Sequence, residues 1–158
     1  MAAVEFPMPV TGLIDDDLRA VGRGIVDILT DETPSVAGLV RALFSEAARE
    51  PLIAELRRNF FASRYQDAAE MVEAAIAQGS LPADVDAGEF VGLVAAPLYY
   101  RYLVTEEPLD YAAADRAAVT ALMAVRAGAC RRHDHSPNST PARKRSQSHG
   151  ADVDRGAR

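Results

Sequence analysis

The chain has 158 residues, 49% of them hydrophobic, and a formal net charge of −6 at pH 7. That length and apolar content suffice for one domain with a substantial core. Residues 1–130 hold ten arginines against twenty carboxylates, a net charge of −10, whereas residues 131–158 have a net charge of +4. Because nucleic-acid binding depends on basic side chains that neutralise phosphates, the acidic body alone is not expected to bind DNA.

Several functional classes are disfavoured by what the chain contains. No run of about 18 uncharged apolar residues occurs, and the N-terminus MAAVEFPMP lacks a basic region, so the sequence predicts a soluble, cytoplasmic protein without a membrane span or signal peptide. The single cysteine, Cys130, excludes an intramolecular disulfide and a multi-cysteine zinc site. All three histidines and the one lysine follow residue 130, which leaves the body without the usual general base or phosphate loop. We therefore expect no enzymatic activity, cofactor or metal site.

The sequence divides into three parts. Residues 131–158 are rich in Ser, Pro, Arg and Gly and contain one large apolar residue, Val153, so they cannot bury enough surface to offset the entropy of ordering. We expect a disordered basic tail there, in which the HDH of residues 133–135 is more typical of solvated side chains than of a metal site. Residues 1–13 are interpreted as a linker and residues 14–130 as one domain.

The body is predicted to be helical throughout, since Ala, Leu, Arg and Glu dominate and no useful period-two pattern appears. In the first helix, apolar residues three and four apart share one face, and the acids at 15–17 suit the positive end of the helix dipole. That face carries Ile14, Leu18, Val21, Ile25 and Ile28. Gly22 and Gly24 indicate either close packing against a neighbour or a locally weakened helix. The second helix begins near Pro34, and its wide apolar stripe predicts a central position.

Two further segments, PLIAELRRNFF and SRYQDAAEMVEAAIAQG, are interpreted as the third and fourth helices, with Gly79 as the C-terminal cap. The fifth, AGEFVGLVAAPLYYRYLVTE, is apolar on nearly all sides, and Asp110 can cap a final helix after it. A helix that is apolar all round is buried all round, so these last two helices are expected to pack on their own domain and on a second copy. Close helix approach is favoured by Ala114, Ala117, Ala118, Ala121 and Ala124. The predicted fold is all-α, with five or six helices.

Three motifs then stand in a characteristic order. Residues 46–51 read EAAREP, residues 79–86 read GSLPADVD, and residues 97–109 read PLYYRYLVTEEPL. In this order and spacing they resemble the C-terminal regulatory domain of tetracycline-repressor (TetR) family transcriptional regulators, over about residues 10–129. The resemblance implies an all-helical domain that dimerises through its last two helices as a four-helix bundle and encloses a small-molecule cavity among the others.

The same resemblance implies two N-terminal DNA-binding heads whose separation changes when ligand binds. Each head is a three-helix unit containing a helix-turn-helix. Residues 1–13, MAAVEFPMPVTGL, are too few to contain a recognition helix. DNA binding is therefore expected only through a helix-turn-helix domain that this chain lacks.

Candidate site residues follow from the resemblance and from side-chain size. The cavity is expected to be apolar and to lie between the second, fourth and fifth segments, with Arg41 and Arg64 either meeting an acidic ligand or pairing with surface carboxylates. The candidate pocket residues are Phe44, Phe60, Phe61, Tyr65, Met71, Tyr99 and Tyr100. The candidate dimer residues are Val91, Val94, Leu98, Tyr102, Val119, Leu122 and Val125.

Pro97 is expected to kink the fifth helix, because it cannot donate a hydrogen bond to the Leu93 carbonyl. The helix is expected to have one face on the partner and another on the pocket.

The favoured function is a TetR-family sensing and dimerisation domain that binds a small apolar or amphipathic effector. Its partner would be a second copy of the chain or a related regulator. The alternative is an interaction protein without a ligand, which forms mixed dimers with a full-length regulator. A cavity distinguishes the first hypothesis from the second.

Overall fold

A computed structural model describes residues 8–132, apart from the side chains of residues 34–38 and 41. The helices are α1 (Ile14–Thr30), α2 (Pro34–Ser45), α3 (Pro51–Ala77), α4 (Ala87–Tyr100) and α5 (Tyr111–Arg126), and a π-helical turn at Arg101–Thr105 continues α4. The all-α prediction is confirmed, since the described residues form helices and, apart from one isolated bridge, no β-structure. None of these helices is long and apolar enough to cross a membrane. The predicted tail lies outside the described residues from His133 onward.

Most helix boundaries follow from local chemistry. The Asp110 carboxylate accepts a hydrogen bond of 2.7 Å from the Ala113 amide and so caps α5 as predicted. The Asp86 carboxylate caps α4 in the same way through the Glu89 amide, at 2.8 Å. Gly79, two residues after α3, has a φ of +75°, the left-handed conformation that glycine adopts at helix C-termini. These caps fix where α3 ends and where α4 and α5 begin.

The start of α1 depends on a buried carboxylate. Asp17 is only 2% exposed. Its oxygens accept hydrogen bonds from the Thr11 amide and hydroxyl, at 3.0 and 2.6 Å, and from the Gly12 amide at 3.3 Å. A buried charge is tolerated only when its hydrogen-bonding capacity is filled, and residues 11 and 12 fill it here. Residues 11–13, interpreted as linker, are thus fixed to α1.

The two helices α1 and α5 pack as an antiparallel pair with very close backbones. A Cβ built on Gly22 would lie 3.2 Å from the Cβ of Ala114 and 3.3 Å from a methyl group of Val94. Ala114 is one of the small buried residues of α5 that let its neighbours α1 and α4 approach, which are Ala113, Ala114, Ala117, Ala118 and Ala121. Of the two interpretations of Gly22, the structure therefore supports close packing. The alanines serve this contact within one chain.

Polar contacts run along the edge of the α1–α5 pair. The Arg23 guanidinium donates two hydrogen bonds to the Asp115 carboxylate, at 2.9 and 2.7 Å. The Tyr111 hydroxyl donates to Asp27 at 2.7 Å, and Arg126 reaches Asp15 at 3.0 Å. Exposed ion pairs add little stability individually, but these contacts set the antiparallel register.

Two expectations for the middle of the chain were wrong. The third and fourth predicted segments form one 27-residue helix, α3, because no helix-breaking residue separates Phe61 from Tyr65. The second helix is peripheral, since the main core cluster of the described residues draws on α1, the C-terminal half of α3, α4 and α5 but not on α2. The first half of α3 is also largely uncovered, with Leu52 66% exposed.

The connection from α4 to α5 is held by Arg101. Its guanidinium pairs with Glu107 at 2.7 Å and donates to the Pro108 carbonyl at 3.1 Å. Pro97 lies inside α4, which remains α-helical to Tyr100, and a π-helical turn follows at Arg101–Thr105. Arg101 therefore stabilises the loop of the PLYYRYLVTEEPL motif.

The segment that follows α5 is attached to the turn before α4. The Arg131 guanidinium pairs with Asp84, and the Asp86 amide donates to the Cys130 carbonyl at 2.7 Å. Arg132 donates from its Nε to the Val85 carbonyl at 3.0 Å. Residues 131 and 132, assigned to the tail, are thus part of the folded domain.

Replacing Gly22 by alanine tests the α1–α5 contact. Alanine in a helix interior is favoured over glycine by about 1 kcal/mol, and we expect that gain at Gly92, where a Cβ would meet no neighbouring atom within 4 Å. At Gly22 the new methyl group meets Ala114, so the Gly22→Ala protein should unfold at lower denaturant concentration than Gly92→Ala. Equal stabilisation of the two variants would contradict the close contact.

The Arg23–Asp115 pair predicts a pH dependence of stability. Its hydrogen bonds lower the pKa of the Asp115 carboxyl in the folded state. The unfolded chain therefore takes up the proton first, and the stabilisation is present above about pH 4 and lost as the pH falls through the folded-state pKa. We expect Asp115→Asn to lower Tm slightly at pH 7 and to leave it unchanged at pH 2.5. Arg23→Gln should show the same pH dependence of Tm as Asp115→Asn. A decrease in Tm that persists in acid would contradict the ion pair.

Candidate ligand-binding site

A cavity of about 70 Å³ lies between α1, α3 and α4. Its walls are Val21, Ile25 and Ile28 of α1, Phe60, Phe61, Arg64 and Tyr65 of α3, Val91, Gly92, Ala95 and Tyr99 of α4, and Met8 of the N-terminal segment. A water molecule needs roughly 10–15 Å³ by this kind of measure, so the space corresponds to about five waters. A small apolar molecule is a better match to these walls than a water cluster, because few polar partners are present.

The cavity exists because of where the small residues of α4 fall. Val91, Ala95 and Tyr99 are four residues apart and therefore line one face of the helix. On that face Gly92 has open space where a side chain would be. The adjacent face of α4, with Val94 and Leu98, is fully buried in the core. The cavity thus begins where the tight packing of α4 ends.

An aromatic cluster forms the outer end of the cavity. The ring of Tyr99 lies 5.1 Å from that of Phe44 and 6.1 Å from that of Phe61, and Phe60 contacts Phe61 at 5.4 Å. Tilted and edge-to-face rings at these distances attract one another beyond simple burial. Through Phe44, α2 therefore supports Tyr99 from behind, without lining the cavity itself.

The predicted pocket residues fall into three groups. Phe60, Phe61, Tyr65 and Tyr99 line the cavity, and Phe44 packs on its aromatic end. Met71 is 1% exposed and lies in the main core, while Tyr100 is 57% exposed and points away. The side chain of Arg41 lies outside the described residues. Among the described side chains, α1 lines the cavity together with α3 and α4, and α2 contributes Phe44 at the aromatic end.

Other lining residues were missed by sequence reasoning. Ile25 and Ile28 belong to the predicted apolar stripe of α1, but periodicity alone does not separate a cavity wall from a packed core. Met8 lies in the segment interpreted as a linker, and nothing in its sequence marked it. The glycine at position 92 could have indicated the cavity, because a glycine in an otherwise apolar helix interior leaves a gap or allows a close approach.

Three lining side chains carry polar groups, and these act on one another. Burial raises the pKa of the Tyr99 hydroxyl, and Tyr65 raises it further, whereas the positive charge of Arg64 lowers it. Arg64 lies over the ring of Phe60 at 5.2 Å and pairs with Asp67 at 3.6 Å. Tyr99 is therefore a neutral hydrogen-bond donor close to a guanidinium, at the edge of an apolar space.

Comparison with known proteins identifies the family. A protein-family model described as "Tetracyclin repressor-like, C-terminal domain" matches residues 8–121, which is most of the chain. The chain belongs to this TetR-type family. No match was found among curated proteins. The matched region includes every helix of the cavity, so the TetR-type resemblance seen in the motifs is confirmed.

The TetR-type domain buries most of the predicted dimer residues inside a single chain. Val94, Leu98, Leu122 and Val125 are at most 3% exposed, and Val91 lines the cavity. They hold α4 and α5 against α1, because the alanine face of α5 allows α1 to approach closely. Tyr102 is half-buried, and Val119 is 40% exposed. Within one chain, Val119 is therefore the most accessible of the seven.

Another surface of the same helices remains uncovered in the TetR-type domain. We define the outer α4–α5 face as Leu93, Pro97, Arg116, Thr120 and Met123. The first four line a surface groove, and Met123 lies one helical turn beyond Thr120. Leu93 is 39% and Met123 66% exposed. Pro97 thus lies on the side of α4 away from the cavity.

Filling the space beside Gly92 should remove the cavity without unfolding the TetR-type domain. We expect xenon to bind the unmodified protein and to shift its NMR signal, and we expect Gly92→Leu to abolish that binding while retaining the unfolding midpoint. Ala96→Leu, which also introduces a leucine but on the exposed side of α4, is the control and should keep xenon binding. Xenon binding that survives in Gly92→Leu would place the void elsewhere.

Proposed function

We propose that this TetR-type domain is a homodimeric small-molecule sensor of a transcriptional regulator. The apolar cavity carries the proposal, because a domain that served only to associate would need no enclosed space beside α4. Membership of the regulatory-domain family supports it. The partner is proposed to be a second copy, seated on the outer α4–α5 face.

The helix α4 would take part in both ligand binding and dimerisation. Its inner side lines the cavity at Val91, Ala95 and Tyr99, and its outer side presents Leu93 and Pro97 to the surface. A ligand that overfills the cavity would displace α4 from α1 or α3. Since Leu93 and Pro97 belong to the same helix, that movement changes the surface offered to the second copy.

The interaction-only alternative would use the outer face and leave the cavity without a role. It predicts mixed dimers with a related regulator whether or not a small molecule is present. Such dimers do not conflict with sensing, so cavity binding decides between the two hypotheses.

A thermal-shift screen with small apolar and amphipathic molecules tests the sensor function. We expect at least one compound to raise Tm of the unmodified protein, because binding to the folded state alone stabilises it. The same compound should leave Gly92→Leu unchanged and should still stabilise Ala96→Leu. Compounds that stabilise all three proteins equally bind outside the cavity, and that result would contradict the proposal.

Dimerisation is tested by placing a charge on the outer face. Met123 and Leu52 are both 66% exposed, so glutamate at either position should be tolerated by the fold. We expect the unmodified protein to be a dimer in light scattering, Met123→Glu to be a monomer, and Leu52→Glu, on α3, to remain a dimer. A charge buried at an interface without a partner is strongly unfavourable. Dimers that survive Met123→Glu would move the interface away from this face.

A further inference from the structure

The polar groups at the cavity can all donate hydrogen bonds. Among the described lining residues, Arg64, Tyr65 and Tyr99 carry polar side-chain groups, and no carboxylate is among them. Both tyrosine hydroxyls can donate hydrogen bonds, and the guanidinium donates only. A ligand that reaches these groups is therefore met by donors and by a positive charge.

Arg64 is placed to reach a ligand at the cavity edge. Its side chain is 19% exposed, and its guanidinium lies 5.2 Å from the centre of the Phe60 ring, which holds it beside the apolar wall. Its distance to the Asp67 carboxylate, 3.6 Å, is longer than the 2.7–2.9 Å of a charge-assisted hydrogen bond. Asp67 is 42% exposed, so a second anion at Arg64 would share the guanidinium with its existing partners.

Tyr99 brings a second donor to the same position. Tyr99 and Arg64 line the same small cavity, so both groups can reach one ligand. A guanidinium and a neutral hydroxyl side by side can share the two oxygens of one carboxylate.

A positively charged groove leads to this end of the cavity. It is lined by Arg57, Arg58, Phe61, Ala62 and Tyr65, and it shares Phe61 and Tyr65 with the cavity wall. Three of the ten arginines of residues 1–130 thus lie at the cavity or its groove, on a body with a net charge of −10. A local positive charge on an acidic protein attracts small anions to that place and repels them elsewhere.

We propose that the ligand of this cavity is a compact carboxylic acid with an aromatic or short aliphatic body. The apolar body lies between α1 and α4, and the carboxylate lies at Arg64 and Tyr99. The limited volume favours a small molecule, because a space of about 70 Å³ admits few heavy atoms before the helices must move. This ligand class rests on the proposed sensor function and narrows it.

Benzoate and benzamide form a matched pair of probes, since they share size and shape and differ in charge. By isothermal titration calorimetry at pH 7.5, we expect benzoate to bind the unmodified protein at least tenfold more tightly than benzamide. A tenfold ratio matches the preference expected for one charge-assisted contact. In Arg64→Gln the ratio should fall close to one, mainly through weaker benzoate binding.

Arg19→Gln is the matched control. Arg19 pairs with Asp16 at 3.6 Å across three residues of α1, as Arg64 does with Asp67 on α3, but it lies outside the cavity. The preference for benzoate over benzamide should be unchanged in Arg19→Gln. Should Arg64→Gln fail to fold by circular dichroism, Arg64→Lys retains the charge without the two-pronged guanidinium, and an intermediate preference is expected.

The outcomes separate the ligand class from the sensor function. Equal binding of both probes to the unmodified protein, lost in Gly92→Leu, would overturn the carboxylate assignment and leave the sensor function standing. A benzoate preference that persists in Arg64→Gln, or that is undiminished in Arg64→Lys, would overturn the role of Arg64 and with it the assignment. Binding of neither probe to the unmodified protein, or equal binding to Gly92→Leu, would count against both proposals.

Discussion

The close contact between α1 and α5 is the constraint on which the rest of this domain depends. Gly22 lets the α1 backbone approach the alanine face of α5 to a distance at which no larger side chain fits. With that face used inside the chain, α4 packs into the angle between the two helices and buries Val94 and Leu98 there. The remaining sides of α4 then have different environments, one against the cavity and one toward solvent. The glycine contact therefore helps to decide which side of α4 is buried, which lines the cavity and which faces solvent.

Packing density falls away from that contact. The core cluster includes the C-terminal half of α3 but neither the first half of α3 nor α2. The cavity lies at this boundary, with the rigid α1–α4 side as one wall and the aromatic rings of Phe60, Phe61 and Tyr99 as the other. Regions with few buried apolar contacts open at lower free energy than the core. A site at the boundary combines a fixed wall with a wall that can move, and this suits a molecule that must admit ligands.

The sequence predicts the helices well because their signals are local. Asp110 and Gly79 are found at the helix ends they were expected to occupy, and the motifs place the chain in its family. Assignment of faces is harder, since a helix such as α4 that is apolar all round has no periodicity to show which side meets which neighbour. Buried Leu122 and exposed Met123 differ little as residue types, and long-range packing alone separates them. The cavity also depends on long-range packing, because Ile25 and Gly92 are far apart in sequence and only the fold brings them together.

The anchoring of the N-terminal segment has a mechanical consequence. Thr11 and Gly12 are fixed by the Asp17 carboxylate, while Met8, three residues earlier, forms part of the cavity wall. Only Pro9 and Val10 lie between the fixed point and Met8, and proline has little torsional freedom. Met8 is therefore held at the cavity wall by a tether of two residues. From Met8 onward, the N-terminal segment is part of the wall of the site and not a passive connection to it.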